Sequence, residues 1–186
     1  LHVPSDAGPT QLGLFVWFHG DGDISRYGDA ARNYGPNLAK ENLATLAIRA
    51  PQGQNWHNDP DTSTTMAHEL INDVIPRKLH LDKRRIVLGG ASGGAVFITG
   101  MLLPTYGYHY AGGAVLLCGG APSLRQSGPG SSRFFNQSAI LAKKFRLYFK
   151  VQKGDFIYNQ SREAATYYQN LGFDVSFEDL SGSGHC

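Results

Sequence analysis

Residues 85–98, Arg-Ile-Val-Leu-Gly-Gly-Ala-Ser-Gly-Gly-Ala-Val-Phe-Ile, indicate how this chain folds. An apolar run precedes the glycines, as in a buried strand, and a second apolar run follows them, as in a helix. The turn between them is Gly90-Ala91-Ser92-Gly93-Gly94. Small residues suit a strained turn at which a strand and a helix pass close together. We therefore predict that Ser92 lies exposed at the carboxyl end of a strand as a nucleophile; the alternative is a serine that only caps the helix.

The rest of the chain alternates between strand-like and helix-like segments, which predicts a mostly parallel central sheet of about six strands with helices on both faces. The expected strands are 12–18, 43–49, 85–89, 111–117, 146–152 and 175–178. The expected helices are 34–42, 62–80, 94–103, 134–144 and 161–171, with a kink or break at Pro76 and an end before Pro104. Neither a repeat nor a shift in composition divides the chain, so we expect a single α/β domain over residues 1–186.

Composition and charge narrow the functional classes. The net charge is +2 and the longest basic cluster is short, which argues against a nucleic-acid partner. No apolar run approaches the roughly 18–20 residues of a membrane span, so we expect no membrane partner. The two cysteines lack metal-ligand spacing, and Asp21, Asp23 and Asp29 do not match a calcium loop. We therefore predict no metal and no cofactor, and we predict no particular oligomeric state.

A serine nucleophile requires a base, and the base requires an orienting carboxylate. The serine turn resembles that of α/β hydrolases, and this resemblance implies that the acid and then the histidine follow the serine in the chain. Only His109 and His185 come after Ser92. His109 precedes a strand, which places it at the opposite end of the sheet, whereas His185 follows the last strand through a loop rich in glycine and serine. We predict that His185 is the base.

The orienting carboxylate should lie at the carboxyl end of a strand. Asp155 meets this condition because it follows the strand 146–152 through a short turn, whereas Asp174 precedes a strand. Glu178 and Asp179 lie at the end of the last strand and remain an alternative. We predict that Asp155 is the acid; otherwise it is an ordinary turn residue.

A second motif, His19-Gly20-Asp21-Gly22, ends the first strand. It resembles the oxyanion loop of α/β hydrolases, in which glycines turn a backbone amide toward the nucleophile. This resemblance implies that the amides of Asp21 and Gly93 donate to the oxyanion, with Gly22 as the competitor of Asp21. It also implies that His19 braces the loop rather than acting as the base.

These motifs, with Gly154-Asp155 and Gly184-His185, resemble those of small carboxylesterases, feruloyl and acetyl-xylan esterases and polyhydroxybutyrate-depolymerase-like esterases. The resemblance implies a serine esterase that cleaves short-chain carboxylic esters through an acyl-enzyme on Ser92. A small-molecule ester is then the expected partner, and feruloyl or acetyl esters of plant polysaccharides are candidates. The alternatives are a peptidase or thioesterase on the same fold, or a binding domain that keeps the hydrolase scaffold without catalysis.

The chain also departs from that pattern. The usual first strands and the helix after the histidine are missing, so we expect a reduced α/β-hydrolase fold excised from a longer chain. No large lid is expected, and any cap would be small and built from about residues 121–142. Residues 49–59 are similar to a segment beside the substrate pocket of those esterases, which implies that Trp56 lines a pocket; core packing is the alternative.

The pair His185-Cys186 is similar to that of tannase and feruloyl-esterase relatives, in which a cysteine beside the histidine forms a disulfide near the nucleophile. Those relatives have the partner cysteine beside the serine, where this chain has Ala91. The resemblance therefore implies a disulfide between Cys118 and Cys186, which would suit a secreted or periplasmic protein. Free thiols would suit a cytoplasmic one.

Overall fold

The computed structural model describes residues 1–5, 11–51, 53, 55–124 and 144–185. In this part of the chain six parallel strands form one sheet in the order β2-β1-β3-β4-β5-β6. They are β1 (Leu12–Phe18), β2 (Leu43–Ile48), β3 (Leu81–Ala91), β4 (Gly112–Leu117), β5 (Phe145–Gln152) and β6 (Asp174–Leu180). The predicted α/β architecture with a parallel sheet of six strands is confirmed.

The helices lie on both faces of the sheet. They are α1 (Asp29–Asn33), α2 (Gly35–Lys40), α3 (Pro60–Glu69), α4 (Gly93–Phe97), α5 (Leu103–Tyr106) and α6 (Tyr158–Asn170). Successive side chains of a strand point to opposite faces. Accordingly, Trp17 contacts Tyr34 at the junction of α1 and α2, whereas Phe18 contacts Phe97 of α4. The expected helix 134–144 and cap 121–142 lie largely outside the described residues.

The core lies between the sheet and the helices α3 to α6. Large apolar side chains from four strands are fully buried there: Leu14, Val16, Phe18, Leu88, Leu116 and Phe149. Burial of each such side chain contributes about 1.5–3 kcal/mol relative to exposure. The carboxyl ends of these parallel strands therefore form a rigid edge on which loop residues can be held in fixed positions.

The helical segment α4–α5 continues through Pro104 and ends at Tyr106, so the predicted end before this proline is wrong. A wider turn of π-helical geometry at Ile98–Leu102 precedes the proline. Proline has no N–H for the carbonyl four residues earlier and collides with it in a regular α-helix. Here that carbonyl, of Gly100, accepts a hydrogen bond from the N–H of Leu124 at 2.9 Å. A distant part of the chain thus satisfies the group that the proline leaves unpaired.

A second wide turn, at Leu70–Val74, closes the segment that begins with α3. The chain then turns at residues 75–78, so the segment ends before Pro76 instead of continuing as a kinked helix to residue 80. Among the helices of the described residues, none has the length and apolar character needed to cross a membrane.

Candidate active site

Ser92 lies directly after β3 in a strained backbone conformation, with φ 49° and ψ −118°. A positive φ costs a residue with a side chain about 1–3 kcal/mol, so the surrounding structure must impose it. The N–H of Ser92 donates to the carbonyl of Leu117 at 2.9 Å, and its carbonyl accepts from the N–H of Val96 at 3.0 Å. The turn is therefore fixed by the neighbouring strand β4 on one side and by α4 on the other.

Glycines on both sides of the serine let the strand and the helix approach each other. A Cβ atom on Gly94 would lie 2.2 Å from the carbonyl oxygen of Phe18. A Cβ atom on Gly90 would lie 2.7 Å from the carbonyl carbon of Gly94. Since both contacts are with backbone, neither position accommodates a side chain without displacing the turn.

The structure brings Ser92, His185 and Asp155 together. Nε2 of His185 lies 2.8 Å from Oγ of Ser92, and Nδ1 lies 2.9 Å from each carboxylate oxygen of Asp155. A carboxylate accepts hydrogen bonds, so this network assigns the imidazole proton to Nδ1 and leaves Nε2 able to accept from the serine hydroxyl. The arrangement can therefore move the hydroxyl proton to the imidazole.

Asp155 is held firmly although its carboxyl group is buried. Its side chain has no exposed surface, whereas the imidazole of His185 is 31% exposed. One carboxylate oxygen also accepts from the N–H of Ile157 at 3.1 Å. The N–H of Asp155 donates to the carbonyl of Gln152 at 3.1 Å. The N–H of Ile157 and the imidazole of His185 supply the partners that a buried carboxylate requires, and the main-chain bond fixes the turn that carries it.

The alternative acids are engaged elsewhere. Glu178 accepts a hydrogen bond from the hydroxyl of Tyr148 and pairs with Lys150 at 3.3 Å. Asp179 accepts from the hydroxyl of Tyr158 at 2.7 Å, and this hydrogen bond raises the pKa of that tyrosine. Both carboxylates thus belong to the side-chain pairs along β6 and its neighbours.

His109 and Asp174 lie at the end of the sheet opposite to Ser92, as predicted. The imidazole of His109 contacts the rings of His68 and Tyr108 just before β4, with centroids 4.6 Å and 4.0 Å apart. Asp174 begins β6 and pairs with Arg146 at 3.0 Å. Both therefore lie at the amino edge, whereas Ser92 follows the carboxyl end of β3.

The loop after β1 packs against the serine turn. A Cβ atom on Gly20 would lie 3.5 Å from Cβ of Ser92, and one on Gly93 would lie 2.1 Å from a carboxylate oxygen of Asp21. The N–H of Gly93 begins a helix and has no intrahelical partner. Within the described chain, the N–H of Asp21 forms no backbone hydrogen bond either, whereas that of Asp23 donates to the carbonyl of Gly20.

His19 connects this loop to the segment after β2. Its buried ring accepts at Nε2 from the N–H of Ala50 at 3.1 Å, so Nδ1 carries the proton and donates to the carbonyl of Gly20 at 2.7 Å. Both ring nitrogens are occupied, which fits the bracing role and leaves neither for proton transfer.

Trp56 packs in the core. It is completely buried, stacks on Phe97 with ring centroids 4.8 Å apart, and donates its indole N–H to the carbonyl of His19 at 2.9 Å. A wall of an open pocket requires an exposed face, which this side chain lacks. The position therefore matches the alternative of core packing.

Two neighbours of the histidine were not singled out in the sequence. Phe156 is 81% exposed, and the centroid of its ring lies 4.6 Å from that of the imidazole of His185. The side-chain oxygen of Gln152 accepts from the N–H of Gly184 at 2.8 Å. The one available signal was position, since Phe156 follows Asp155 and Gln152 ends β5.

An open cavity of about 690 Å³ lies beside the serine turn at the same edge of the sheet. Ala91, Cys118 and Gln152 line it, together with the charged side chains of Asp23 and Lys150. Its walls are thus partly apolar and partly charged, and they extend from the residue before the serine to the end of β5.

The disulfide implied by the resemblance finds no support. Cys118 is a buried, free cysteine, and Cys186 lies outside the described residues.

The aspartates near the first strand form ion pairs: Asp29 pairs with Arg26 and Arg32, and Asp21 lies 3.8 Å from His57. In the ranges of chain that the structure covers, no group of three or more His, Cys, Asp or Glu side chains could hold a metal ion.

No protein-family model matches this chain, and no curated protein matches it either. Solved structures do match it. One is a thermostable esterase, with a TM-score of 0.71 and 17% identity over 97% of this chain and 49% of that chain. This chain therefore spans about half the length of that esterase.

Two further structures are matched over most of their own length. SOBER1 from Arabidopsis thaliana has a TM-score of 0.71 and 17% identity over 95% of this chain and 91% of that chain. Est2, a thermophilic esterase from the Planctomycetes species Thermogutta terrifontis, has a TM-score of 0.71 and 16% identity over 99% and 78%. At these identities the likeness shows the fold alone, and this chain has the α/β-hydrolase fold of these structures.

Proposed function

We propose that this chain is a serine esterase that hydrolyses short-chain carboxylic esters through an acyl-enzyme on Ser92. The observation that carries the proposal is the row of hydrogen bonds from the buried carboxylate of Asp155 through His185 to the hydroxyl of Ser92. The strained backbone of the serine turn adds support, because strain of this kind is typical of functional sites. The α/β-hydrolase fold, shared with esterases, is consistent with it.

In the first half of the reaction, Oγ of Ser92 attacks the ester carbonyl carbon while Nε2 of His185 accepts the hydroxyl proton. The carboxylate of Asp155 stabilises the imidazolium that results. The amides of Asp21 and Gly93 donate to the oxyanion of the tetrahedral intermediate. When the intermediate collapses, the bond to the alcohol oxygen breaks, and the alcohol leaves with the proton from His185.

In the second half, water replaces the alcohol. His185 removes a proton from the water, whose oxygen attacks the acyl carbon and forms a second tetrahedral intermediate. Collapse of this intermediate releases the carboxylic acid, and the proton returns to Oγ of Ser92. The enzyme is then unchanged, and the net reaction consumes one ester and one water.

The proposed substrates are esters of acetyl and other small acyl groups. Feruloyl or acetyl esters of plant polysaccharides are specific candidates. The similar Thermogutta structure has propionate, a short-chain carboxylate, bound. A panel would rank these groups: p-nitrophenyl acetate, butyrate and octanoate, methyl ferulate, acetylated xylan, a thioester and a peptide anilide. Faster turnover of the thioester or the anilide than of every oxygen ester would contradict an esterase.

The direct test is Ser92→Ala. We expect turnover of p-nitrophenyl acetate to fall by about 10⁴-fold or more, and labelling by a fluorophosphonate to disappear, while the circular dichroism spectrum is unchanged. Ser25→Ala, an exposed serine in the loop after β1, is the matched control and should retain both. Persistent activity or labelling in Ser92→Ala would contradict the assignment of the nucleophile.

A further inference from the structure

The segment that carries the histidine has little packing of its own. Residues 181–184 are Ser-Gly-Ser-Gly, and the structure exposes each of them and also His185. Glycine loses more backbone entropy than any other residue when it is fixed, and the two serine side chains are too small and polar to bury much apolar surface. The position of the imidazole therefore depends on specific hydrogen bonds to the neighbouring turn.

Two of these bonds come from the main chain and fix the first part of the segment. The N–H of Lys153 donates to the carbonyl of Leu180 at 3.0 Å, and the N–H of Gly154 donates to the carbonyl of Gly182 at 2.9 Å. Both bonds end at least three residues before His185. The second ends at Gly182, and glycine has more backbone freedom than any other residue. A restraint nearer to the histidine is needed to orient it.

Gln152 supplies that restraint through its side chain. Its oxygen accepts from the N–H of Gly184, the residue directly before the histidine, at 2.8 Å. A Cβ atom on Gly182 would lie 2.5 Å from the same oxygen, so the carboxamide fills the space next to the segment. The glycines at 182 and 184 thus allow the segment to approach the glutamine closely.

The same residue also contacts the turn that presents the acid, because its carbonyl accepts from the N–H of Asp155 at 3.1 Å. Gln152 ends β5 and pairs with Leu180 in the sheet, so its backbone is fixed by the strand register. One residue on a rigid element therefore links the acid and the base. The ring of Phe156 contacts the imidazole directly, but a ring that is 81% exposed is a weaker restraint.

We propose that Gln152 is a positioning residue, whose carboxamide fixes Gly184 and so holds His185 between Asp155 and Ser92. This inference rests on the proposed esterase function. A displacement of about 1 Å in a reacting group can cost on the order of 10²-fold in rate. Loss of the carboxamide should therefore reduce kcat, whereas substrate binding should change little because Gln152 acts through the histidine.

The test compares Gln152→Leu, which removes the acceptor, with Gln152→Glu, which keeps an acceptor oxygen of the same reach. We expect Gln152→Leu to lower kcat for p-nitrophenyl acetate by about 10–100-fold with KM within about twofold. Arg146→Met is the matched control, since Arg146 lies on the same face of β5 but at the amino edge of the sheet, where it pairs with Asp174. It should retain kcat within about twofold.

Gln152→Glu should restore most of the lost rate at alkaline pH. Its added negative charge favours the imidazolium form of His185, so the acidic limb of the kcat–pH profile should move to higher pH. The shift would show that side chain 152 lies close to the imidazole, whereas recovery of kcat above the acidic limb would show that the restored acceptor oxygen positions His185. If Gln152→Leu does not fold, Gln152→Met, which also lacks an acceptor at this position, gives the same comparison.

A second measurement is independent of turnover. In the unmodified protein we expect slow hydrogen exchange at the N–H of Gly184 and a low-field proton resonance from Nδ1 of His185 bound to Asp155. Gln152→Leu should accelerate the exchange and broaden or abolish the resonance, and Gln152→Glu should preserve both. If kcat, exchange and resonance are all unchanged in Gln152→Leu, Gln152 has no positioning role even though the esterase stands. If the unmodified protein has neither turnover nor fluorophosphonate labelling, the esterase fails, and the exchange and resonance data still decide whether Gln152 holds the histidine.

Discussion

The absence of a side chain at Gly94 allows the serine turn to pack closely against β1. We expect Gly94→Ala to destabilise the protein by about 1–3 kcal/mol, because its Cβ atom would lie 2.2 Å from a backbone oxygen in β1. Urea unfolding would measure the change. Gly28→Ala is the control, since its nearest neighbour atom would be 3.7 Å away and its φ is −75°. If both variants unfold at the same urea concentration, the close approach does not require glycine.

The carboxylate of Asp21 contacts Gly93, where the proposed oxyanion forms. Asp21→Asn keeps the main-chain amide and removes a negative charge, so we expect kcat to rise by about 2–10-fold, which corresponds to roughly 1 kcal/mol for an exposed charge a few ångströms away. Added salt should reduce the gain, because it screens the charge in the parent protein. Asp23→Asn, in the same loop, should have a smaller effect. A slower Asp21→Asn enzyme would mean that the carboxylate supports the reaction.

The sequence was informative for residues whose role follows from strand order. The common position of Ser92, Asp155 and His185 could be predicted because each follows the carboxyl end of a strand, and parallel strands bring those ends to one edge. Gln152 and Phe156 could not be predicted in the same way. Their contacts with Gly184 and His185 depend on how a loop of glycine and serine folds back, and no periodicity encodes that path.

At the scale of elements, the strands were easier to predict than the helix ends. A strand buried on both faces is a continuous apolar run, and Leu12–Phe18 has the predicted bounds. The end predicted before Pro104 failed because the rule for proline is local, whereas the partner of the freed carbonyl is Leu124, which is distant in sequence. Helix ends that depend on such tertiary contacts cannot be read from neighbouring residues.

The start of α3 depends on a side-chain cap that can be tested. Asp59 accepts from the N–H of Thr62 at 3.0 Å and from its hydroxyl at 2.7 Å. We expect Asp59→Ala to lower the free energy of unfolding by about 0.5–2 kcal/mol, as is usual for loss of an N-cap. Asp59→Asn keeps an acceptor oxygen and should lose less than half of that. Equal losses in the two urea titrations would indicate that charge, not the cap, stabilises the helix.

At the scale of the whole molecule, the sheet order and the division of helices between its faces position the site. Ser92 follows β3, Asp155 follows β5 and His185 follows β6, so the candidate site joins three strands of one sheet. The identity of the fold could be predicted from the alternation of elements and the glycine turn. The open cavity beside the serine could not, because its volume is set by the packing of side chains from several strands and α1.

The opposite edge of the molecule should make stability depend on pH. Burial lowers the pKa of His68 below its ordinary 6.5, and the nearby His109 lowers it further, while Asp73 acts in the opposite direction. The unfolded chain therefore binds a proton at His68 at pH values where the folded protein does not. The neutral form of His68 therefore contributes fully to the free energy of unfolding above about pH 6.5. This contribution is lost as the pH falls below that value.

Urea unfolding at pH 7.5 and at pH 5 would measure this effect. His68→Phe keeps an aromatic ring for the stacking on Tyr106, at 4.1 Å between centroids, but removes the titrating group. We expect the decrease in unfolding free energy between the two pH values to be smaller in this variant than in the parent protein. Thr65→Val, which disturbs a contact with the same Tyr106 hydroxyl without adding or removing a titratable group, should lower stability equally at both pH values. If His68→Phe retains the full pH dependence of the parent, His68 is not its source, and the loss at acidic pH must be assigned to other groups.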